Sequence, residues 1–153
     1  DRRVAKVIGK CQDLPGQELF QYVDDEGKRR DVNSNDVNEY LRGITGQDFT
    51  AKDFRTWAGT VLGAMALQEF ERFDSQTQAK KNLVKAIETV SQRLGNTPAV
   101  CRASYIHPEV FAGWLDGELH RRVAETGVAS PRKLETSTLA FLRRRLHVSR
   151  RSR

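Results

Sequence analysis

Three polar residues, Arg55, Asn96 and Tyr105, have side chains that could act on a phosphodiester. Negative charge grows on the non-bridging oxygens as such a group reacts, and an arginine near a helix N-terminus can supply fixed donors there. A phenol, with an ordinary pKa of about 10, can be the nucleophile if nearby cations favour its phenolate. The amide of Asn96 can donate hydrogen bonds but cannot deliver a proton.

Each of these residues also has an ordinary structural explanation. An arginine near a helix start is usually a surface ion pair worth under about 1 kcal/mol. An asparagine after a glycine usually serves a turn, and a tyrosine usually serves packing. The functional hypothesis therefore rests on the three residues occurring together.

Helices are the elements expected to position these side chains. Thr50 and Asp53 resemble a capping box, and they open a helix whose core face is predicted to carry Phe54, Trp57, Val61 and Met65. On another face of this helix, Arg55, Gly59 and Gly63 recur every four residues, and each glycine costs about 1 kcal/mol relative to alanine. That stripe predicts a tight helix crossing, with close approach to a bound backbone as the less favoured alternative.

Asn96 and Tyr105 are predicted to flank a helix stop and restart. Ser75 and Gln78 form a second capping-box pattern, followed by a long apolar stripe that Gly95 ends as a left-handed cap. Thr97 and Pro98 then begin a short helix that runs to about Ser104. The stripe consists of Ala79, Leu83, Ile87, Val90 and Leu94.

The remaining segments complete a mainly α domain with one small β-hairpin near the N-terminus. We predict a short helix over 2–14, a hairpin over 19–32, a helix ending near Gly43, and a last helix starting at Pro131. Another helix is predicted to start at His107. Its inward side chains would be Val110, Phe111, Trp114, Leu115, Leu119 and Val123, and those of the last helix Leu134, Phe141 and Leu142.

Composition excludes several classes of protein. The 153 residues are 38% hydrophobic and 30% charged, as in soluble globular proteins, and no apolar run approaches the ~18 residues of a membrane span. The two cysteines have neither the number nor the spacing of a disulfide framework or a zinc site, so no metal is expected. The chain begins with Asp1 and shows no targeting character, so we expect a fragment that begins inside a longer protein.

The net charge of +6 comes entirely from the C-terminal end. Residues 1–142 hold 20 acidic and 20 basic side chains, whereas residues 143–153 hold six arginines and no acid. We therefore predict a domain over 1–142 and a flexible Arg-rich tail over 143–153. Such a tail could neutralise phosphates without recognising a sequence, and a solvated, frayed terminus is the open alternative.

Two motifs resemble those of a known family. K-D-F-R-T-W, residues 52–57, resembles the K-D-x-R-T motif of type IB DNA topoisomerases of the poxvirus-like and bacterial kind. G-N-T-P-A-V-C-R-A-S-Y, residues 95–105, is similar to their G-[HN]-T-P segment, in which the nucleophilic tyrosine follows nine residues after the His or Asn. Residues 12–20 and 36–41 also resemble the stretch that precedes the arginine motif in bacterial members. The resemblance covers roughly residues 1–115.

The resemblance implies the helical catalytic fold shared by type IB topoisomerases and tyrosine recombinases. Tyr105 would be the nucleophile that forms a 3′-phosphotyrosyl link, Arg55 and Asn96 would bind the scissile phosphate, and Lys52 would contact the DNA backbone nearby. No metal, ATP or other cofactor is implied. The partner would be double-stranded DNA, bound by a monomer in the bacterial cytoplasm at the nucleoid. The tail arginines expected to contact this DNA are Arg143, Arg144 and Arg145.

The sequence departs from the family pattern in two ways. Many members have histidine at the position of Asn96, so only hydrogen-bond donation is expected there. The family's other arginine and its general-acid lysine lie upstream of the segment that matches residue 1. Lys28 would sit on a hairpin, but its order in the chain is wrong for that lysine. General acid catalysis contributes about 10²- to 10⁴-fold, so we expect these 153 residues alone to be slow or inert in cleavage.

Two alternatives stay open at this point. Tyrosine recombinases and integrases share the catalytic logic, but they usually carry H-x-x-R and L-G-H. This chain has Lys52-x-x-Arg55 and Leu94-Gly95-Asn96, which favours the topoisomerase. The second alternative is a non-catalytic DNA-binding fragment of the same fold.

Overall fold

A computed structural model describes residues 1–13, 16–70, 73–124 and 131–151, which fold as two compact units. The first unit, Asp1–Ala51, contains α1 (Arg2–Gln12), β1 (Gln21–Val23), β2 (Arg29–Asp31) and α2 (Ser34–Thr45). The second unit, Lys52–Arg153, contains α3 (Ala51–Gln68, from its second residue), α4 (Gln76–Leu94), α5 (Pro98–Ser104), α6 (Pro108–Leu115), α7 (Glu118–Ala124) and α8 (Pro131–Arg151). The predicted mainly α fold with one small hairpin is confirmed.

Local hydrogen bonds explain the elements of the first unit. β1 and β2 pair antiparallel with Tyr22 opposite Arg30, and Asp24 closes the turn between them. The hydrogen bond from Arg30, helped by the backbone of Lys28, holds the pKa of the Asp24 carboxyl below its ordinary value. A capping box between Asn33 and Asp36 starts α2.

The end of α2 differs from the prediction. The helix continues past Gly43 to Thr45, and Gly46 ends it in the left-handed conformation with φ of 64°. The hydroxyl of Thr45 donates to the Leu41 carbonyl at 2.7 Å. The helix therefore ends at Gly46, whose positive φ is accessible to glycine, and not at Gly43.

The apolar core of the described residues lies in the second unit. Its fully buried side chains include Trp114, Phe141, Leu67, Leu119, Val90 and Val110. The ring of Phe73 packs against Trp114 at a centroid distance of 4.9 Å. The predicted inward positions Leu134, Phe141 and Leu142 of α8 are buried, as are Ala79, Ile87 and Val90 of α4.

Two predicted core positions are wrong. Phe54 is 51% exposed, because α3 turns its small residues toward the protein interior. Leu115 is 47% exposed, because the single helix expected after His107 is divided into α6 and α7. Gly117, with φ of 76°, makes that division possible. The side chain of Val123 lies outside the described residues.

α8 runs through the predicted boundary at residue 143. It extends from Pro131 to Arg151, so residues 143–151 continue a helix whose first half is packed in the core. Within α8, Arg145 is tied to carboxylates of α6, the following turn and α7. No helix in the described part of the chain is long and apolar enough to cross a membrane.

Candidate active site

Consecutive helix ends in the second unit bring the predicted site residues together. Arg55 lies in the second turn of α3. α4 ends at Leu94, where Gly95 adopts φ of 65° and reverses the chain at Asn96. Thr97 accepts from the backbone N–H of Val100 and starts α5, and Tyr105 is the residue that ends it.

The carbonyl oxygen of Leu94 is the point where two of these side chains meet. The Arg55 guanidinium donates a hydrogen bond to it from Nη2, and the Asn96 amide donates to it from Nδ2 at 3.2 Å. The Cζ atom of Arg55 lies 5.2 Å from the centroid of the Tyr105 ring. Arg55 thus shares an acceptor with Asn96 and lies beside the Tyr105 ring. The structure therefore places the three predicted catalytic side chains in one cluster.

Lys52 lies on α3 one turn before Thr56. Its backbone carbonyl accepts from the Thr56 hydroxyl at 2.9 Å, and its side chain is exposed. Within the described part of the chain, the Lys52 ammonium makes no ion pair. The structure thus leaves this charge at the start of the helix that carries Arg55, in contact with solvent.

α3 packs against Tyr105 and the residues after it through Gly59, Thr60 and Gly63, which we call the tyrosine seat. A Cβ atom at Gly59 would lie 2.4 Å from the Tyr105 carbonyl oxygen, closer than real Cβ contacts. A Cβ atom at Gly63 would lie 3.0 Å from Cγ2 of Ile106. The glycine stripe therefore packs against the segment between α5 and α6, and not against another helix as predicted.

The hydroxyl of Thr60 adds hydrogen bonds to this contact. It accepts from the backbone N–H of His107 at 3.1 Å and donates to the carbonyl of Tyr105 at 3.5 Å. One turn earlier, the Thr56 hydroxyl lies 3.4 Å from the Ser104 carbonyl. Two threonine hydroxyls of α3 therefore bond backbone groups at the end of α5 and just after it.

A buried thiol belongs to the same short helix. Cys101 is fully buried in α5, and its carbonyl accepts from the backbone N–H of Tyr105 at 3.0 Å. Burial raises the pKa of the Cys101 thiol, and the positive charge of Arg55 partly offsets that rise. A protonated thiol is consistent with a packing role under the tyrosine.

The three tail arginines predicted to bind DNA have different surroundings. Arg143 and Arg144 are exposed, and Arg144 lies 3.7 Å from Glu118. Arg145 is only 19% exposed and is bonded to three carboxylates. We call Arg145 with these partners, Glu109, Asp116 and Glu118, the arginine hub.

Charge pairing shifts the pKa values within the arginine hub. Partial burial opposes ionisation of Asp116, but hydrogen bonds from the Glu118 backbone and from Arg145 lower its carboxyl pKa below the ordinary value. Burial also opposes the charge of Arg145 and would lower its pKa. The hydrogen bonds to the three carboxylates outweigh this effect of burial, so the pKa of the guanidinium is raised. The charge of Arg145 is thus already compensated within the protein.

The described residues contain no group of three or more His, Cys, Asp and Glu side chains that could hold a metal ion. The sequence predicted Arg55, Asn96 and Tyr105 as site residues, but it did not predict the hydrogen bonds of Thr60 or the pairing of Arg145. The glycine stripe beside Thr60 signalled a close approach in this region. The sequence showed no corresponding signal for the arginine hub, since its acids lie 27 to 36 residues before Arg145.

Comparison with known proteins identifies the family of the sequence. The sequence model of the family described as "Eukaryotic DNA topoisomerase I, catalytic core" matches residues 1–115. The chain is also 34% identical over 100 residues to a protein named "DNA topoisomerase 1B" from Acanthamoeba polyphaga mimivirus. That match covers 61% of this chain and spans 30% of the relative's length. Since the family match includes Arg55, Asn96 and Tyr105 and covers well over half of the sequence, the chain belongs to the DNA topoisomerase I catalytic-core family.

Proposed function

We propose that this chain is part of a type IB topoisomerase that relaxes supercoiled DNA through a covalent tyrosine intermediate. Tyr105 is the nucleophile, and Arg55 and Asn96 bind the scissile phosphate. Lys52 contacts the DNA backbone next to it. The family match and the similarity to a protein named DNA topoisomerase 1B support the class of enzyme.

The observation that carries this proposal is the convergence of Arg55 and Asn96 on one acceptor. Both side chains donate to the Leu94 carbonyl oxygen, so their N–H groups reach the same small region. A phosphate offers several acceptor oxygens within such a region, and its charge strengthens each hydrogen bond. Donors that are fixed before the reaction stabilise the charge of the transition state without reorganising.

The position of Arg55 next to the Tyr105 ring supports the role of the phenol. With the guanidinium carbon 5.2 Å from the ring centroid, a positive charge lies beside the phenol ring that must become a phenolate during attack. The same guanidinium can therefore assist both the nucleophile and the phosphate. The backbone contacts of the tyrosine seat limit where the phenol can move.

The proposed reaction exchanges one phosphodiester for another. The phenol oxygen of Tyr105 loses its proton and bonds to phosphorus, and the bond from phosphorus to the 5′-oxygen of the next nucleotide breaks. That 5′-oxygen takes up a proton and leaves as a hydroxyl. After strand rotation the 5′-hydroxyl attacks the phosphotyrosine, so the linkage is restored and Tyr105 is regenerated. No net bond energy is consumed, and no metal or nucleotide enters the balance.

Under the same proposal the enzyme acts on double-stranded DNA as a monomer in the bacterial cytoplasm, at the nucleoid. A tyrosine recombinase would use similar chemistry, but the topoisomerase I family match favours relaxation over strand exchange between sites. A DNA-binding fragment without activity is the other outcome that an experiment must separate.

The test uses the longest native form of the protein that contains these residues. We expect it to relax supercoiled plasmid in EDTA without ATP and to become attached to a DNA 3′ end. Tyr105→Phe should abolish both results while leaving DNA binding intact. Tyr40→Phe, which alters an exposed tyrosine of α2, is the matched control and should leave both unchanged. A covalent adduct in Tyr105→Phe, or no adduct in the wild type, would contradict the proposal.

A further inference from the structure

We infer that Thr60 is a positioning residue for the nucleophile, because its buried hydroxyl fixes the backbone on both sides of Ile106 and thereby sets where Tyr105 can place its phenol. This inference rests on the proposed function of Tyr105. Thr60 acts through the backbone of Tyr105 and is not assigned contact with DNA.

Within the described residues, the Thr60 hydroxyl bonds only outside its own helix, whereas the Thr56 hydroxyl, which also lies 3.4 Å from the Ser104 carbonyl, bonds within α3 as well. A helical threonine commonly bonds the carbonyl four residues earlier in its own helix. Such bonds are present, at 2.7 to 3.0 Å, for Thr45, Thr56, Thr89 and Thr136. Thr60 instead bonds backbone groups 45 and 47 residues away, so its hydroxyl joins two parts of the fold.

The two partners of Thr60 complement each other chemically. A hydroxyl has one hydrogen to donate and lone pairs to accept, so it can serve the Tyr105 carbonyl and the His107 N–H together. Both groups are backbone atoms, and Ile106 between them is 4% exposed. With Thr60 itself 2% exposed, water has little access to replace either bond.

Other contacts hold the same segment from its remaining sides. The Tyr105 N–H is bonded to the Cys101 carbonyl at 3.0 Å, and the Tyr105 carbonyl lies against Gly59, where a Cβ atom would not fit. The Tyr105 backbone is therefore tied before and after its Cα atom. Side-chain rotation remains as the main freedom of the phenol, and a displacement of about 1 Å at the reacting atom can cost about 100-fold in rate.

The substitutions that test this role change the hydroxyl and little else. Thr60→Val keeps the shape and removes both hydrogen bonds, whereas Thr60→Ser keeps the hydroxyl. Thr89→Val is the matched control, since it removes a threonine hydroxyl that bonds only within α4. If Thr60→Val does not fold, Thr60→Ala carries the same test without a methyl group facing the Tyr105 carbonyl.

Two measurements separate positioning from general stability. Amide hydrogen exchange of His107 in the 153-residue chain should be about tenfold faster in Thr60→Val, because the N–H loses its acceptor. In the longest native form, single-turnover formation of the covalent adduct should fall about 10- to 100-fold at saturating DNA, with DNA affinity changed less than about twofold. Thr60→Ser should restore both to near wild type, and Thr89→Val should change neither.

The outcomes distinguish this inference from the proposed function. An adduct that forms in the wild type and forms as fast in Thr60→Val would overturn the role of Thr60 alone. Failure of Thr60→Ser to restore the rate would also overturn it, since the hydroxyl would then not be the group that matters. If the wild type forms no adduct while the exchange of His107 responds as expected, the proposed function fails and the hydrogen bond itself stands.

Discussion

The tyrosine seat and the arginine hub hold nearby parts of the segment from Tyr105 to Glu118 in different ways. The seat uses Gly59 and the buried Thr60 hydroxyl against backbone atoms, and Gly63 against the Ile106 side chain, without any charge. The hub uses one arginine of α8 among three carboxylates of α6, the turn after it and α7. Backbone contacts of this kind limit atoms to small displacements, whereas long charged side chains hold helices together with more freedom and depend on salt and pH. We therefore expect the seat to control reactivity and the hub to control stability.

The largest effect is expected from Gly59→Ala. Alanine improves helix propensity by about 1 kcal/mol, but its Cβ would lie 2.4 Å from the Tyr105 carbonyl oxygen, so the backbone must shift. Overpacking of this kind costs about 1–3 kcal/mol. Formation of the covalent adduct should fall about 100-fold in a single-turnover assay, as expected for displacement of the nucleophile.

Gly43→Ala provides the control for Gly59→Ala. It lies within α2, and a Cβ atom there would meet nothing within 4 Å. It should therefore raise the melting temperature slightly and leave adduct formation unchanged. An undiminished rate in Gly59→Ala would show that the seat does not control reactivity.

The second largest effect is expected from Arg145→Met, which removes the charge at the centre of the hub. Three carboxylates would lose their common partner, at a cost of about 1–2 kcal/mol for this mostly covered side chain. The melting temperature of the 153-residue chain should fall by about 3–6 °C. Adduct formation by the folded longest form should stay within about threefold of wild type, since the seat is untouched.

The pH dependence of the hub sharpens this prediction. Because the folded-state pKa of Asp116 is lowered, its contribution to stability is present above the ordinary value of 3.8 and is lost as the pH falls through the folded-state pKa. Arg145 stays charged over this range. The difference in melting temperature between wild type and Arg145→Met should therefore shrink as the pH falls below 3.8. A constant difference would mean that the hub contributes through packing and not through charge.

The sequence predicted the helix caps around Arg55, Asn96 and Tyr105 better than the long-range contacts near them. Caps and breakers are local, so Ser75, Gly95 and Thr97 could be assigned from neighbouring residues, and the structure uses each in that way. The capping-box pattern of Ser75 was only half right. Ser75 accepts from the Gln78 backbone, while the Gln78 side chain turns to Asn82.

Contacts between distant parts of the chain could not be predicted in this way. The glycine stripe of α3 predicted a close approach, but nothing local indicated that its partner is the segment 45 residues later. Phe54 was expected in the core because it repeats with Trp57 and Val61 at helical spacing, whereas the small-residue face of α3 is the one that packs. The charge of Arg145 suggested a phosphate contact, and its pairing depends on acids brought near by tertiary folding.

A smaller effect is expected from Arg143→Gln, which tests the proposed DNA contacts of α8. Arg143 is exposed, and we expect its charge to meet a DNA phosphate. Loss of one such contact should make the plot of log binding constant against log salt shallower by about 0.9, with an affinity loss of about threefold. Arg145→Met is the matched control, because its charge is already compensated and its loss should leave the slope unchanged. Equal changes in slope for the two variants would contradict this division of the three arginines.

The smallest effect is expected from Gly63→Ala, one turn after Gly59 on the same stripe. The added Cβ would meet Cγ2 of Ile106 at 3.0 Å, which a side-chain adjustment of a few tenths of an ångström can relieve. The gain in helix propensity of about 1 kcal/mol offsets that cost, so the free energy of unfolding should change by less than about 0.5 kcal/mol. Adduct formation should stay within about threefold of wild type. Denaturant unfolding and the single-turnover assay measure both quantities beside Gly59→Ala. An equal loss of adduct formation in the two variants would mean that general packing along α3, and not the contact with the Tyr105 carbonyl, places the nucleophile.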